Sequence, residues 1–367
     1  MPRELVIDGH VINDQNPPFI VAEIGHNHAG SLAKAKQLVN AAKASGASAV
    51  KFQTRRPKDV YQANAKRGAY SFESDNPQWM DRVYGVHREK LEFSEREWGE
   101  VFEWCRKAGI TALSTPFDFR SADMLADLGV PAFKIASGDA TNIPLIKHVA
   151  GKGKPVIVST GGCSMSDVLR VRSALGGAHH AILQCSCIYP APDDLMNLRV
   201  IETYRDVFPD AVIGLSTHNA SWHTSLAAYV LGARIVEHHF TVDRAWKGTD
   251  NPFSLTPETM AELVRACKAV RKGMGSDQKA CDPREAEPTK ERRKSLVWAR
   301  QVVEWGTITR EDIKILCPGD GIAPYYLDSL IGRRVAHTTG VDELVAWADI
   351  MVLNNETQEF EKATANA

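Results

Sequence analysis

Short apolar, β-branched runs alternate with amphipathic helical stretches through residues 19–240, and that alternation leaves few folds open. The runs lie at 19–25, 49–54, 111–116, 132–137, 155–160, 180–186, 211–217 and 234–240. They are nearly all apolar until their C-terminal ends, as strands covered on both faces are. Between them lie helical patterns such as 32–45, where Leu32, Ala35, Leu38, Val39 and Ala42 keep the i, i+3, i+4 spacing of a buried stripe. Gly46, Gly109, Gly129, Gly153, Gly177 and Gly232 stand where those helices are expected to end. A parallel sheet under helices follows, and about eight units over roughly 250 residues is the size of a (β/α)8 TIM barrel. No Gly-x-Gly-x-x-Gly follows the first run, which counts against a dinucleotide fold.

The chain is long enough for a second unit: 367 residues, 44% of them hydrophobic. Residues 1–18 read as a short β extension of a barrel domain at 1–275. After the last expected helix, 256–275, the chain turns polar. The spacing predicts a linker at 276–292, a small β-rich domain at 293–353 and a frayed polar tail at 354–367. Forty-four basic residues nearly cancel 45 acidic ones, so no net field recruits nucleic acid or an acidic membrane surface. No leader pattern and no apolar run of roughly 20 residues is present, and 7 scattered cysteines suit reduced thiols in the cytoplasm. The connection 55–93 is too long for an ordinary βα loop and carries Tyr61, Tyr70, Phe72, Trp79 and Tyr84. It reads as a lid or substrate wall, against the alternative of an insertion without a role.

In a barrel, reactive residues gather where strands end. Here the ends supply Glu23, Asn27 and His28; Lys51 and Gln53; Ser114 and Thr115; Lys134, Ser137 and Asp139; Ser159 and Thr160. Later runs add Cys187 and Tyr189, Ser216 and His218, then Glu237, His238 and His239. Two lysines and a set of hydroxyls in one mouth suit an anion bearing both phosphate and carboxylate. Alternatively, each lysine pairs with a carboxylate such as Glu23 or Glu237. His218 and His239 end neighbouring runs, so they are either a site for one divalent metal with open positions or two satisfied core histidines. His238 should point away from that mouth. Cys185 and Cys187 share one strand face, where packing outweighs metal binding. His26, His87, His148, His179, His180, His223 and His337 read as surface or packing residues.

The ordered motifs resemble the sialic acid synthase family, which condenses phosphoenolpyruvate with an N-acetylated amino sugar. They are Ala22-Glu-Ile-Gly-His-Asn-His-Ala-Gly30, Val50-Lys-Phe-Gln-Thr54, Leu113-Ser-Thr-Pro-Phe-Asp118, Lys134-Ile-Ala-Ser-Gly-Asp139, Val158-Ser-Thr-Gly161, Ile188-Tyr-Pro190, Gly214-Leu-Ser-Thr-His218 and Glu237-His-His-Phe-Thr241. Pro318-Gly-Asp-Gly-Ile-Ala-Pro324 and Leu330-Ile-Gly-Arg333 resemble that family's antifreeze-like (SAF) module. The resemblance implies that Glu23, Lys51, Thr115, Lys134, Ser137, Ser159 and Ser216 hold phosphoenolpyruvate. It places Mn2+ or Mg2+ on His218 and His239, and the sugar near Gln53, Asp139, Cys187, Tyr189, Asp250 and Cys317. Glu23 and Asp139, with the two histidines, would carry the catalysis. It further implies a homodimer that exchanges its SAF domains.

Three positions depart from the family pattern. Asp139 stands for the usual Glu, Cys187 for the usual Asn before Ile-Tyr-Pro, and Cys317 for the Arg of an Arg-Pro-Gly motif, a loss that Arg333 or Arg334 could compensate. The changes fall on the sugar side. The expected reaction is thus the condensation of phosphoenolpyruvate with an open-chain aldose, giving a 3-deoxy-ulosonic acid, with a non-standard acceptor. The alternatives are a non-acylated or phosphorylated aldose, or an inactive binding homologue.

Overall fold

The structure, a computed structural model, describes residues 3–63, 69–353 and 360–362. The chain divides into two compact units, Met1–Gly275 and Ser276–Ala367. The first opens with a hairpin of β1 (Leu5–Ile7) and β2 (His10–Ile12). Eight parallel strands then close into a barrel: β3 (Phe19–Gly25), β4 (Ala49–Thr54), β5 (Thr111–Pro116), β6 (Phe133–Ile135), β7 (Val156–Ser159), β8 (His180–Gln184), β9 (Val212–Thr217) and β10 (Ile235–His239). β10 pairs back onto β3, with His239 opposite Glu23.

The strand period of two sorts every residue of these runs. One set, including Ile20, Ala22, Val50, Phe52, Phe133, Ile135, Val158, Ile213 and Val236, packs outward against the helices in the larger core. The other set fills the barrel. Its lower members, Phe19, Val21, Ala49, Leu113, Ala132, Ile157, Leu183, Val212 and Ile235, form a second apolar cluster with Leu5, Ile7 and Ile12 of the hairpin. Further along in the same parity come Glu23, Lys51, Thr115, Lys134, Ser159, Ser216 and Glu237. The barrel interior is therefore apolar at one end and polar at the other. Gly214 lies at the seam: a Cβ there would come within 2.4 Å of both Ile235 O and the Leu183 side chain.

Helix ends follow ordinary capping chemistry. Ser94 and Glu97 form a capping box on Glu95–Ala108, which closes on Gly109 in the left-handed region (φ 67°). The expectation at Gly177 is one residue late, since the helix Met165–Leu175 closes on Gly176 at φ 57°. The run expected at 180–186 is also shorter: β8 stops at Gln184, and Cys185-Ser186-Cys187 leave the sheet.

The second unit pairs β11 (Ser295–Trp298) with β12 (Ile313–Leu316), and β13 (Arg334–Val335) with β14 (Ile350–Leu353) and β15 (Phe360–Lys362). Its core holds Leu296, Trp298, Ile308, Ile313, Leu330, Val335 and Ile350. Two expectations change here. The stretch 276–292 is not all linker, because Ala286–Arg292 is a helix preceded by a 3-10 turn at Pro283–Glu285. The tail expected to fray from 354 includes β15, held by antiparallel pairing to β14; 354–359 and 363–367 lie outside the described residues. Among the described residues no helix is long and apolar enough to cross a membrane.

Candidate active site

A cavity of ≈ 790 Å³ opens at the C-terminal ends of the barrel strands, walled on one side by the 55–93 connection. Its floor is the polar layer described above. Lys51 Nζ lies 2.7 Å from Glu23 Oε2 and 3.6 Å from Glu237 Oε1, and donates to Thr115 Oγ1 at 3.1 Å. Lys134 Nζ donates to Ser159 Oγ at 2.5 Å and to Ile135 O at 3.0 Å, 4.0 Å from Glu237 Oε1. Ser216 Oγ donates to Glu237 at 3.0 Å, and Gln53 Nε2 to Glu23 at 2.9 Å. Both lysines are thus ion-paired, as the alternative reading had it, and both still face the cavity.

The four charges are buried, and each environment sets a direction. Burial raises Glu23 above the usual carboxylate range, outweighing Lys51. It also pulls Lys134 below the usual ammonium range, against Glu237. Burial works against the charged forms of Lys51 and Glu237 too, but there the opposite charges prevail. Lys51 is raised by Glu23 and Glu237, and Glu237 is lowered by Lys134 and Lys51.

Across the floor stand the two histidines, ring centroids 5.3 Å apart. His218 Nδ1 meets Ser186 O at 2.8 Å, which puts the proton on Nδ1 and leaves the Nε2 lone pair free. Burial holds that ring neutral, its pKa lowered to about 3. His239 Nδ1 is buried without a hydrogen-bond partner, 3.6 Å from Asp250 Oδ2. The Tyr189 ring packs on His218 with centroids 3.8 Å apart, tilted by 34°. Among the described residues no cluster of three or more His, Cys, Asp or Glu could hold a metal. A neutral imidazole beside a buried nitrogen without a partner nonetheless suits a divalent cation that takes its remaining ligands from substrate and water. His238 packs away from the cavity, as its parity requires, with Nδ1 toward His239 O at 3.3 Å.

Several sequence expectations change. Asp139 is not in the wall: the 3-10 turn Ser137–Asp139 leaves Ser137 and Gly138 there, and the Asp139 carboxylate accepts from Asn142 Nδ2 at 3.1 Å. Cys187 lines the cavity, where the resemblance placed it; Cys185 lines it too rather than packing in the core, because the sheet has ended before both. His26 is not a packing residue either; it lines the cavity and takes a hydrogen bond on Nδ1 from Arg88 at 3.2 Å. Cys317 is exposed in the second unit, its thiol 3.4 Å from Arg292 O. Sequence reasoning missed Arg55, Arg88, Asn76 and Gln78. All come from the 55–93 connection and its flanks, where the only signal was length and aromatic content.

That connection is tied down by Glu92, whose carboxylate accepts from Arg55 N at 3.1 Å and lies 3.4 Å from both Arg55 Nε and His26 Nε2. Burial pushes its pKa up to about 7 from an ordinary 4.5. A raised carboxyl contributes stability that is complete below its unfolded pKa and lost as pH rises through its folded pKa. Between pH 5 and 8, Glu92 should therefore account for up to about 3 kcal/mol of declining stability. Urea unfolding of Glu92→Gln should show a shallower decline with pH than wild type; equal slopes would contradict the assignment.

The geometry can be set beside known proteins. The NeuB family model matches residues 38–279. This chain belongs to the NeuB family. The N-acetylneuraminate-9-phosphate synthase of Homo sapiens is 35% identical over 350 residues, 94% of this chain and 96% of its own length. The N,N'-diacetyllegionaminic acid synthase of Legionella pneumophila is 34% identical, covering 90% and 94%. Among solved structures, the N-acetylneuraminic acid (sialic acid) synthetase from Leptospira borgpetersenii, in complex with citrate, superposes with a TM-score of 0.69 at 30% identity, covering 78% of this chain and 95% of that one. As a NeuB-family protein the chain is an enzyme, a sugar-condensing synthase with a barrel of the family's kind.

Proposed function

We propose that the chain condenses phosphoenolpyruvate with the open-chain aldehyde of an aldose, giving a sialic-acid-type 3-deoxy-ulosonic acid and inorganic phosphate. The observation that carries this reading is the floor: two buried lysines, three hydroxyls and two carboxylates in one polar layer of a NeuB-family barrel. Lys51, Lys134, Thr115, Ser137, Ser159 and Ser216 hold the phosphate and carboxylate of phosphoenolpyruvate. Gln53, Cys187, Tyr189 and Asp250 face the acceptor.

The charge balance gives the floor a second requirement. Lys51 and Lys134 are already balanced by Glu23 and Glu237, yet phosphoenolpyruvate brings about three negative charges. Positive charge has to enter with it, as a proton on Glu23 or as a divalent cation. His218 and His239 would hold Mn2+ or Mg2+, which supplies polarisation of the acceptor's carbonyl oxygen when bound. The chain's own groups do the rest. The floor fixes the enol carbon toward the aldehyde carbon, and a C–C bond forms between them. Water adds at the former C2, and phosphate leaves as the C–O bond breaks. Glu23, at 2.7 Å from Lys51, is placed to take and return the proton that these steps move. Asp139 ends the turn that puts Ser137 and Gly138 in the wall, its carboxylate held by Asn142.

The same reading carries a cytoplasmic homodimer with exchanged second domains of SAF type. It is tested by phosphate release from phosphoenolpyruvate across a panel of aldoses with Mn2+. Release is expected only with an acceptor present; binding of phosphoenolpyruvate without turnover on any aldose would favour an inactive homologue.

A further inference from the structure

We propose that Cys187 and Cys185 form a peroxide-reactive thiol pair in the cavity wall, Cys187 attacking and Cys185 resolving, whose oxidation reversibly closes the site. The proposal rests on that cavity being the synthase site, and it concerns the site's regulation. β8 ends at Gln184, so residues 185–187 run along the wall with both sulfurs on the cavity side. The sulfurs meet over Gly161: a Cβ there would lie 2.5 Å from Cys187 Sγ, 3.3 Å from Cys185 Sγ and 2.9 Å from Ser137 Oγ. A bare glycine is what makes room for the two thiols side by side.

The pair is asymmetric in the way a reactive and a resolving thiol need to be. Cys187 is exposed to solvent and Cys185 is 5% exposed. Ser137 Oγ accepts from Gly161 N at 2.9 Å, which leaves its own proton free to donate to sulfur. A hydrogen bond from Cys185 pulls the Cys187 thiol down to about 6 despite partial burial, helped by Ser137 and by the Lys134 ammonium, while Cys185 is correspondingly raised. Cys105 and Cys267 are buried and pushed up to about 12, so they are inert.

The chemistry balances with a hydroperoxide as oxidant. The Cys187 thiolate attacks the distal peroxide oxygen; an S–O bond forms, the O–O bond breaks, and the alkoxide leaves with a proton as an alcohol, or as water from hydrogen peroxide. Sulfur is thereby oxidised by two electrons to a sulfenic acid. Cys185 loses its proton to solvent and attacks that sulfur; an S–S bond forms and hydroxide leaves, protonated to water. Drawing Cys187 toward Cys185 takes the sulfur acceptor from the Ser137 hydroxyl and shifts Tyr189, two residues on, whose ring packs on His218. One covalent step thus disturbs both the phosphoenolpyruvate side and the histidine side of the cavity.

The test exposes the full-length protein to hydrogen peroxide and reads peptide mass and phosphate-release activity, before and after dithiothreitol. A 185–187 disulfide is expected to form first, with activity falling at least about tenfold and returning on reduction. Cys185→Ser should stop at a dimedone-reactive sulfenic acid on Cys187, whatever its basal rate, and Cys187→Ser should leave Cys185 unmodified. Oxidation of Cys163, Cys281 or Cys317 ahead of Cys187, or a 185–187 disulfide without loss of activity, would overturn the proposal. A disulfide that forms in a protein with no turnover on any aldose would count against the synthase reading and its regulation while leaving the thiol pair standing.

Discussion

Lys51→Met is expected to remove both activity and much of the protein's stability, and the two losses can be separated. The ammonium is 3% exposed and shared between Glu23 at 2.7 Å and Glu237 at 3.6 Å. Without it, two buried carboxylates are left with Lys134 alone, at 4.0 Å from one of them. Breaking a buried pair by removing one partner costs about 3–5 kcal/mol. Losing an ammonium that holds a bound anion lowers kcat/KM by about 10²–10³-fold. In the double variant Lys51→Met, Glu23→Gln the floor again holds one positive and one negative charge, Lys134 and Glu237. Its stability, measured by urea unfolding, should return to near wild type, while turnover stays lost. A double variant that regains activity along with stability would reduce Lys51 to a structural residue.

Replacing His218 and His239 together with alanine should abolish the response to Mn2+. For the wild type, metal at 100 times its dissociation constant adds about 2.7 kcal/mol of stability, on the order of 5 °C in Tm. The shift should be larger with phosphoenolpyruvate present, since the floor's own charges cancel and each ligand favours the other. The double variant should show no metal-dependent shift and should still unfold cooperatively, because both rings border the cavity rather than the apolar core. An equal shift in wild type and variant would place the metal elsewhere. No shift in either would favour satisfied structural histidines, although His239 Nδ1 has no hydrogen-bond partner.

Much of the barrel was legible because a strand's period is rigid. Once β4 is known to be a strand, Ala49, Lys51 and Gln53 must share the interior face, and the same parity delivers Glu23, Lys134, Ser159, Ser216, Glu237 and His239 without any knowledge of neighbours. Where the sheet stops, parity stops carrying information. Strand parity alone puts Cys185 and Cys187 on one packed face, yet both are wall residues because β8 ends just before Cys185; for Cys187 only the ordered motifs point to the cavity. The residues 137–139 form a 3-10 turn that a linear motif does not encode, and it is Ser137 and Gly138 that it sets in the wall. His26 follows Gly25, whose φ of 52° redirects the chain into the turn that brings the imidazole to Arg88. Arg55, Asn76, Gln78 and Arg88 lie in or beside a connection with no period at all. Their positions depend on partners distant in sequence, such as Glu92 for Arg55 and Gly248 for Gln78.

In the proposed condensation, phosphate leaves phosphoenolpyruvate by C–O cleavage once an aldose has been joined to it. The most direct measurement uses phosphoenolpyruvate labelled with 18O at the oxygen bridging carbon and phosphorus, with Mn2+ and an accepted aldose, and reads the released phosphate by 31P NMR. The label is expected to leave with phosphate, and release to require the aldose. Unlabelled phosphate, or release at the same rate without any aldose, would contradict it.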